Sequence, residues 1–531
     1  MKLLKGKRGV CAGGHPYTVD AGRRAFEAGG NAIDAAVAAQ LMACVAEPLL
    51  TGLGGGGLAM IKQGNQCRVL DFFSDRPGLG PTRPIAPLET VSVSFGVDVQ
   101  SFSYGVASVA MPGMIQGLWE LHRSGGKLPL TLLAGWAAEV ADKGLEVSTG
   151  LSKSINALAP IIEKDPYLTA RFFTQDAEGA LRCVPPGHYY NIPELSETLM
   201  RWASGGPKEL FSGSSLKNIL ATLGDFAPLS QLDIENYQTK WHEPLSKVIQ
   251  TASCPIKIST PGLPSQGGVQ ILAIVEEMAA RLEQYSQSTS KLEPFGATAA
   301  GMLAEVMHML ESKKDHTWPK QLIDQHPKTA EGQFWQSKLG FTTHLSTYDN
   351  EGNTVGITSS LGETAGVSVE SMGLLLNNFM GEEDVAPPNC LPAPGQRLFT
   401  MCSPSLLEID HPHLGTQGYM LGSGGSSRIR SIIAQGILYL APDLLPIGED
   451  LSKVVEAPRV HYEDRKLRVE LFERPENVKT ALAETCRSKG DELICFDDFN
   501  LFFGGLHLAS GGVHGLGGAG DPRRSGSIAI V

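Results

Sequence analysis

The sequence has no apolar run of the roughly 20 residues that a bilayer crossing requires, no long basic run, and no cysteine pair at CxxC spacing. The first absence excludes a membrane-spanning helix. The second, joined to a formal net charge of −12, excludes the electrostatic footprint of a nucleic-acid binder. The third, with nine cysteines scattered through 531 residues, excludes a zinc or dithiol motif and fits reduced structural thiols. Charge is sparse as well: 19% Asp, Glu, Lys and Arg against 42% hydrophobic residues excludes a disordered chain and supplies a large core. The opening MKLLKGKRGV has only two adjacent leucines before charge resumes, too little for the core of a secretion signal. A cytoplasmic globular protein acting on small molecules or peptides is the expectation.

What is present has a clear order. Residues 16–45 read as two helices meeting at Gly29-Gly30, with Asn31 as the cap of an alanine-rich second helix. The glycine run Gly52–Gly57 leads into two strands separated by the hairpin signal Gly64-Asn65. Helical periodicity returns from Ala110 to Ser148, and residues 192–310 read as largely helical, broken at Thr260–Gly268. Residues 311–340 are polar and aperiodic, an exposed connector or the tail of a cleaved segment. At Phe341 the texture changes: residues 341–349 alternate, Asn350–Asn353 turns, and residues 354–361 alternate again. Further strands are predicted at 403–409, 459–471 and 527–531, with helices at 426–440 and 449–456. Gly511–Gly520 reads as a flexible surface loop. A helix-rich first part, 1–341, and a strand-led second part, 342–531, suggest stacked α and β layers forming one intertwined unit.

Thr342-Thr343 opens the strand that follows the polar connector. Alone, such a pair is ordinary strand composition. A threonine hydroxyl becomes a useful nucleophile when a base takes its proton, and an N-terminal threonine carries that base in its own α-amino group. The amine titrates near neutrality, at about 7.7 to 8.0. It exists only after the 341–342 peptide bond is cut, so this chemistry requires an internal cleavage at the end of the connector.

The blocks around this pair resemble the gamma-glutamyltransferase (glutathione hydrolase) family over nearly the whole chain. They run in order from Gly29–Ala39, Glu47-Pro48 with Gly52–Gly57, and Met111–Gly113, through Asp233–Tyr237 and Pro261–Gly268. They continue with Thr342–Ser346, Asp349–Asn353, Gly373–Asn378, Pro394–Arg397, Ser403-Pro404 and Gly422–Ile429. The resemblance implies a four-layer αββα sandwich of the N-terminal-nucleophile hydrolases, an α/β (α+β) fold. It makes Thr342 the residue that cuts the precursor and then attacks the substrate, with Ser360 orienting it. Backbone N–H groups of Gly425 and Ser426 form the oxyanion hole, worth roughly 3 to 4 kcal/mol per donor. Thr343, Gly362, Glu382, Thr400, Gly424 and Phe73 are the implied substrate contacts. No metal and no organic cofactor is implied, because nucleophile and base share one residue. The mature form is a heterodimer of the two processed segments, with a dimer of these left open; the partners are an amide or peptide substrate and an amine acceptor.

The recognition residues depart from the family's pattern. Position 73 is Phe where an arginine normally holds the glutamyl α-carboxylate, and Arg76 could replace it only with a rearranged loop. The resemblance gives Glu382, with Glu383 and Asp384 adjacent, as the acidic residue that binds the glutamyl amine, although Phe379 in the spacing before it is atypical; Thr400-Met401 stands in place of two serines, and Gly362 in place of an asparagine. Losing a charge-assisted contact costs about 1.5 to 3 kcal/mol, so an acyl group other than glutamate is an alternative. A catalytically silent relative acting as a binding protein is the alternative of another class. Gly52–Gly57 lacks the Lys-Ser/Thr of a phosphate loop. His411 and His413 lack a completing ligand set, His344 reads as core packing, and Asp521–Arg524 reads as a salt-bridged terminus.

Overall fold

The computed structural model describes residues 7–94, 99–286, 292–312, 341–388 and 390–531. Helix Pro16–Glu27 has proline in its first turn, where the missing N–H is not needed. The chain then passes through Gly29 at φ 88°. Helix Ala32–Ala46 is opened by a capping box in which Asn31 Oδ1 accepts from the Asp34 amide and Asp34 accepts from the Asn31 amide. All 15 of its residues are buried. It therefore shows no polar stripe, and its alanines let the sheet on one side and helix Leu130–Lys143 on the other approach closely.

That sheet has seven strands. Across it lie Lys240–His242, Gln66–Asp71, Gly56–Gln63, Thr354–Ser360, Thr342–Asp349, Gly9–Gly13 and Ser527–Ile530, every neighbouring pair antiparallel. A second sheet of six strands runs Leu245–Gln250, Pro255–Thr260, Ser405–His411, Gly415–Gly424, Gly505–Gly512 and Gly517–Ala519. The sheets stack face to face, with His344 against Gly422 and Tyr348 against Gly418. The two main apolar cores lie on the outer faces. One joins the first sheet to helices Pro16–Glu27, Ala32–Ala46 and their neighbours; the other joins the second sheet to helices Gln266–Ser286 and Arg428–Leu440. Helices, sheet, sheet, helices: the four-layer sandwich is present. Both sheets combine strands from before and after position 342, so the two segments cannot be separated without tearing each sheet.

Several sequence expectations need correction. Residues 192–310 are not helical throughout. They include strands Lys240–His242, Leu245–Gln250 and Pro255–Thr260, which supply an edge to the first sheet and two strands to the second. Gly511–Gly520 is no surface loop over its whole length: Gly517–Ala519 is a buried edge strand, with Gly518 lying against Leu508 and Val10. Gly9–Gly13 is a buried strand that the reading of the chain's start passed over. The 311–340 connector falls outside the described residues except for Glu311 and Ser312, the end of helix Ala297–Ser312.

Asp349 links the strand carrying Thr342 to the first helical layer. Its Oδ1 accepts from the Glu351 and Asn353 amides at 3.0 and 2.9 Å, and its Oδ2 accepts from the Ala32 amide at 3.1 Å. Asp349→Ala leaves the buried Ala32 amide and the two turn amides unmatched, and equilibrium denaturation should show a loss of about 2 to 4 kcal/mol.

Candidate active site

Strand alternation decides which side chains meet. Thr342 is the first residue of its strand and pairs with Ser360, the last residue of the adjacent one. Thr342 Oγ1 donates to Ser360 Oγ at 3.2 Å. Ser360 in turn donates to the Phe341 carbonyl at 2.9 Å and accepts from the Gly362 amide at 2.9 Å. The Ser360 hydroxyl is thus fully engaged, and it touches both the hydroxyl of Thr342 and the carbonyl of the peptide bond in front of it.

The opposite wall comes from the second sheet. An added Cβ at Gly424 would lie 1.8 Å from the Thr342 carbonyl oxygen, so only glycine allows this approach. The same carbonyl accepts from Arg524 Nη1 at 3.1 Å. Gly425 and Ser426 follow at φ 116° and 46°, and among the described residues their amides donate to no recorded acceptor. Ser426 Oγ donates to Asp384 Oδ2 at 2.5 Å.

Thr342, Ser360, Glu382, Thr400, Ser426 and Phe73 line one cleft, together with Asp384 and Phe379. Phe73 packs on Phe379 with ring centroids 4.6 Å apart. Arg76 does not reach the cleft; its guanidinium donates to the Pro392 carbonyl. Gly362 is a neighbour of the cleft, where a Cβ would collide with Asn378 and Glu382. Thr343 is not brought in. Alternation turns it to the helical face of the sheet, where its hydroxyl donates to Glu47 at 2.6 Å. Glu47 also accepts from Thr18 at 2.7 Å, and burial pushes its carboxyl above the ordinary range despite both hydroxyls and the nearby Arg524.

One group had escaped the reading of the sequence and another had been grouped with its neighbour. Glu363 is fully buried, with one carboxylate oxygen held by Asn378 Nδ2 at 3.0 Å and the other unpaired. Burial raises its carboxyl to about 8; burial likewise raises the carboxyl of Glu382, aided by the charges of Glu363 and Asp384, and that of Asp384, aided by Glu463. Arg524 is the other. Its neighbour Arg523 forms the expected ion pairs with Asp521 and Glu470, but Arg524 turns to the Thr342 carbonyl. No sequence signal separates these adjacent arginines. His344 is core: fully buried, hydrogen-bonded to Thr358 and Ser346, and held well below its usual pKa by burial. Among the described residues there is no cluster of His, Cys, Asp and Glu that could hold a metal ion.

Residues 18–531 match the gamma-glutamyltranspeptidase family. The chain belongs to that family. Curated relatives include the acylase ACY 1 proenzyme of Pseudomonas sp. strain SE83, 28% identical over 524 residues and covering 93% of this chain and 88% of the relative. Glutathione hydrolase 2 of Arabidopsis thaliana is 30% identical over 483 residues, 83% of this chain and 78% of that protein. The fold matches the crystal structure of a cephalosporin acylase from Bacillus halodurans with a TM-score of 0.76 over 100% of this chain and 97% of that one, at 21% identity. This family member is thus a hydrolase on an N-terminal-nucleophile fold.

The Gly424 contact gives a direct test. Gly424→Ala forces the Thr342 carbonyl away from its place, and a displacement near 1 Å should lower amide-hydrolysing activity by about 100-fold or more. Gly301→Ala, on a helix with open space at the new methyl, should leave the rate unchanged in the same assay.

Proposed function

We propose that this protein is a self-cleaving N-terminal-threonine amidohydrolase that works through an acyl-threonine ester and accepts acyl groups other than glutamate. The observation that carries the reading is the Thr342–Ser360–Phe341 chain of hydrogen bonds. In the intact chain, Thr342 Oγ lies beside the bond to be cut, and the Ser360 hydroxyl polarises its carbonyl. Attack of Oγ on the Phe341 carbonyl carbon, followed by loss of the amide nitrogen, moves the acyl group from N to O. Water then hydrolyses the ester, leaving a carboxylate on Phe341 and a free amine on Thr342.

With substrate the same oxygen acts again. The Thr342 amine takes the hydroxyl proton as Oγ bonds to the amide carbon, and the negative oxygen is met by the Gly425 and Ser426 amides. Collapse expels the amine leaving group with that proton and leaves the ester, which water or an acceptor amine resolves. Retention of the nucleophile, its hydroxyl partner and the glycine turn favours an enzyme over a silent binding protein. Phe73 in the cleft, and a relative described as an acylase, favour an acyl group that is not glutamate.

Intact mass and N-terminal sequencing test the cleavage. The wild type should yield two pieces, the smaller beginning Thr-Thr-His-Leu, and Thr342→Ala should stay whole. A wild-type chain that never splits turns the reading to the silent binding protein. Ser360→Ala should still fold, by circular dichroism, yet split more slowly by roughly 100-fold, because the carbonyl loses the Ser360 hydroxyl as a donor.

A further inference from the structure

We infer that Arg524 is the positioning residue that keeps the Thr342 amine unprotonated: its guanidinium holds the nucleophile's own carbonyl and so fixes a positive charge beside the amine. The inference rests on the amidohydrolase reading of Thr342, because the amine exists only once the chain has been cut.

Arg524 is a buried cation without an anion of its own. It is 7% exposed, and among the described residues its guanidinium makes one hydrogen bond, from Nη1 to the Thr342 carbonyl at 3.1 Å. Its Nε is buried and meets no acceptor there. The two acids whose charge reaches it are engaged with other groups. Asp521 serves the Leu506 amide, Arg523 and Arg459, and Glu47 accepts from Thr18 and Thr343. Both act on Arg524 as charges at a distance, without a hydrogen bond. The side chain is packed in place: an added Cβ at Gly505 would lie 3.0 Å from Arg524 Cβ, and one at Gly424 would lie 3.5 Å from Nη1. Burial brings the guanidinium down to about 10, which still leaves it charged near neutrality. An unpaired interior cation is costly, and its field is uncancelled at the group it faces.

That group is the backbone of the nucleophile. The nitrogen and carbonyl oxygen of one residue stand about 3 to 4 Å apart, so Nη1 lies within about 7 Å of the amine. A charge at that range in a partly buried site lowers an amine's titration by about one pH unit. From a free value of about 7.7 to 8.0, this takes the amine from largely protonated to about half neutral at pH 7, and the neutral form is the one that accepts the hydroxyl proton. The other charges around it oppose Arg524 or are silent. Glu382 and Asp384 in the cleft, with Glu363 acting on Glu382, favour an ammonium, but burial holds all three above the ordinary carboxyl range and Arg428 offsets part of Glu363 and Asp384. Glu47 opposes Arg524 from the helical face of the sheet, and burial raises its carboxyl too. His15, His344 and His507 are kept neutral by burial. Arg524 is the cation bonded to Thr342 itself.

Trace acetylation titrates the amine without needing a substrate. Processed wild type, Arg524→Gln and Arg524→Lys are treated with acetic anhydride across the neutral range beside the free peptide Thr-Thr-His-Leu. N-acetyl Thr342 is counted by mass after hydroxylamine has removed acetyl esters. Arg524→Gln should titrate about one pH unit above the wild type, and Arg524→Lys, which keeps the charge, within about 0.3 of it. Both variants should still split at Thr342, however slowly, because before the cut there is no amine for the charge to act on. Folded variants that stay whole give Arg524 a part in the cutting instead and overturn the inference. An Arg524→Gln amine that titrates with the wild type also overturns it, whatever the variant does to the rate. Should Arg524→Gln not fold by circular dichroism, Arg524→Lys decides, and a titration about one pH unit above the wild type overturns the inference. A wild-type chain that never splits removes the amidohydrolase reading and this inference with it.

Discussion

The approach of the Gly424 backbone to the Thr342 carbonyl sets how close the two sheets stand at the end of the sandwich where the cleft opens. A methyl group does not fit between them. From that contact the rest of the site is placed. Gly425 and Ser426 follow at once with positive φ, which turns the chain across the end of the Thr342 strand. Gly504 packs on the Gly424 carbonyl from behind, and Arg524 fills the remaining side by hydrogen-bonding Thr342. The position of the nucleophile is thus set by backbone packing, which does not rotate, more than by side-chain rotamers, which do.

Elements whose burial is periodic were legible from sequence. The Gly29-Gly30 helix pair, the 56–71 hairpin and the strands around Asn350–Asn353 all appear where alternation or a 3.6-residue period placed them. The strands of 240–260 were not. Ser246, Val248 and Gln250 are exposed on one face and Lys247 interrupts the other, so the strand shows no clean apolar alternation, and the flanking helices dominate the window. Gly517–Ala519 failed for a different reason. Its small residues serve as an edge packed beneath Val10 and Leu508, a tertiary demand that composition reports only as glycine and therefore as loop.

At the site, residues tied to local order could be read and residues tied to long-range pairing could not. Thr342, Ser360 and the Gly424–Ser426 turn announce themselves by type and neighbourhood. Thr343 looks equivalent to Thr342 in the sequence, but the two-residue period of the strand sends it to Glu47 on the other face. Glu363 lies in a short turn where a carboxylate reads as solvent-facing, and only the packing of Asn378 shows it to be buried. Arg523 and Arg524 differ only in which way the chain turns at Ser525, which takes φ 56°.

Two electrical demands meet in the cleft. A Thr342 amine that serves as base has to be neutral, and fully ionised carboxylates lining the same space would hold a proton on it. Burial, with the charges of neighbouring carboxylates, keeps the carboxyls of Glu382, Asp384 and Glu363 above their ordinary range, so the cleft carries less negative charge than its composition suggests. Arg428, held over the Phe502 ring, works against that rise at Glu363 and Asp384, and the balance between burial and this cation sets how much negative charge faces the Thr342 amine.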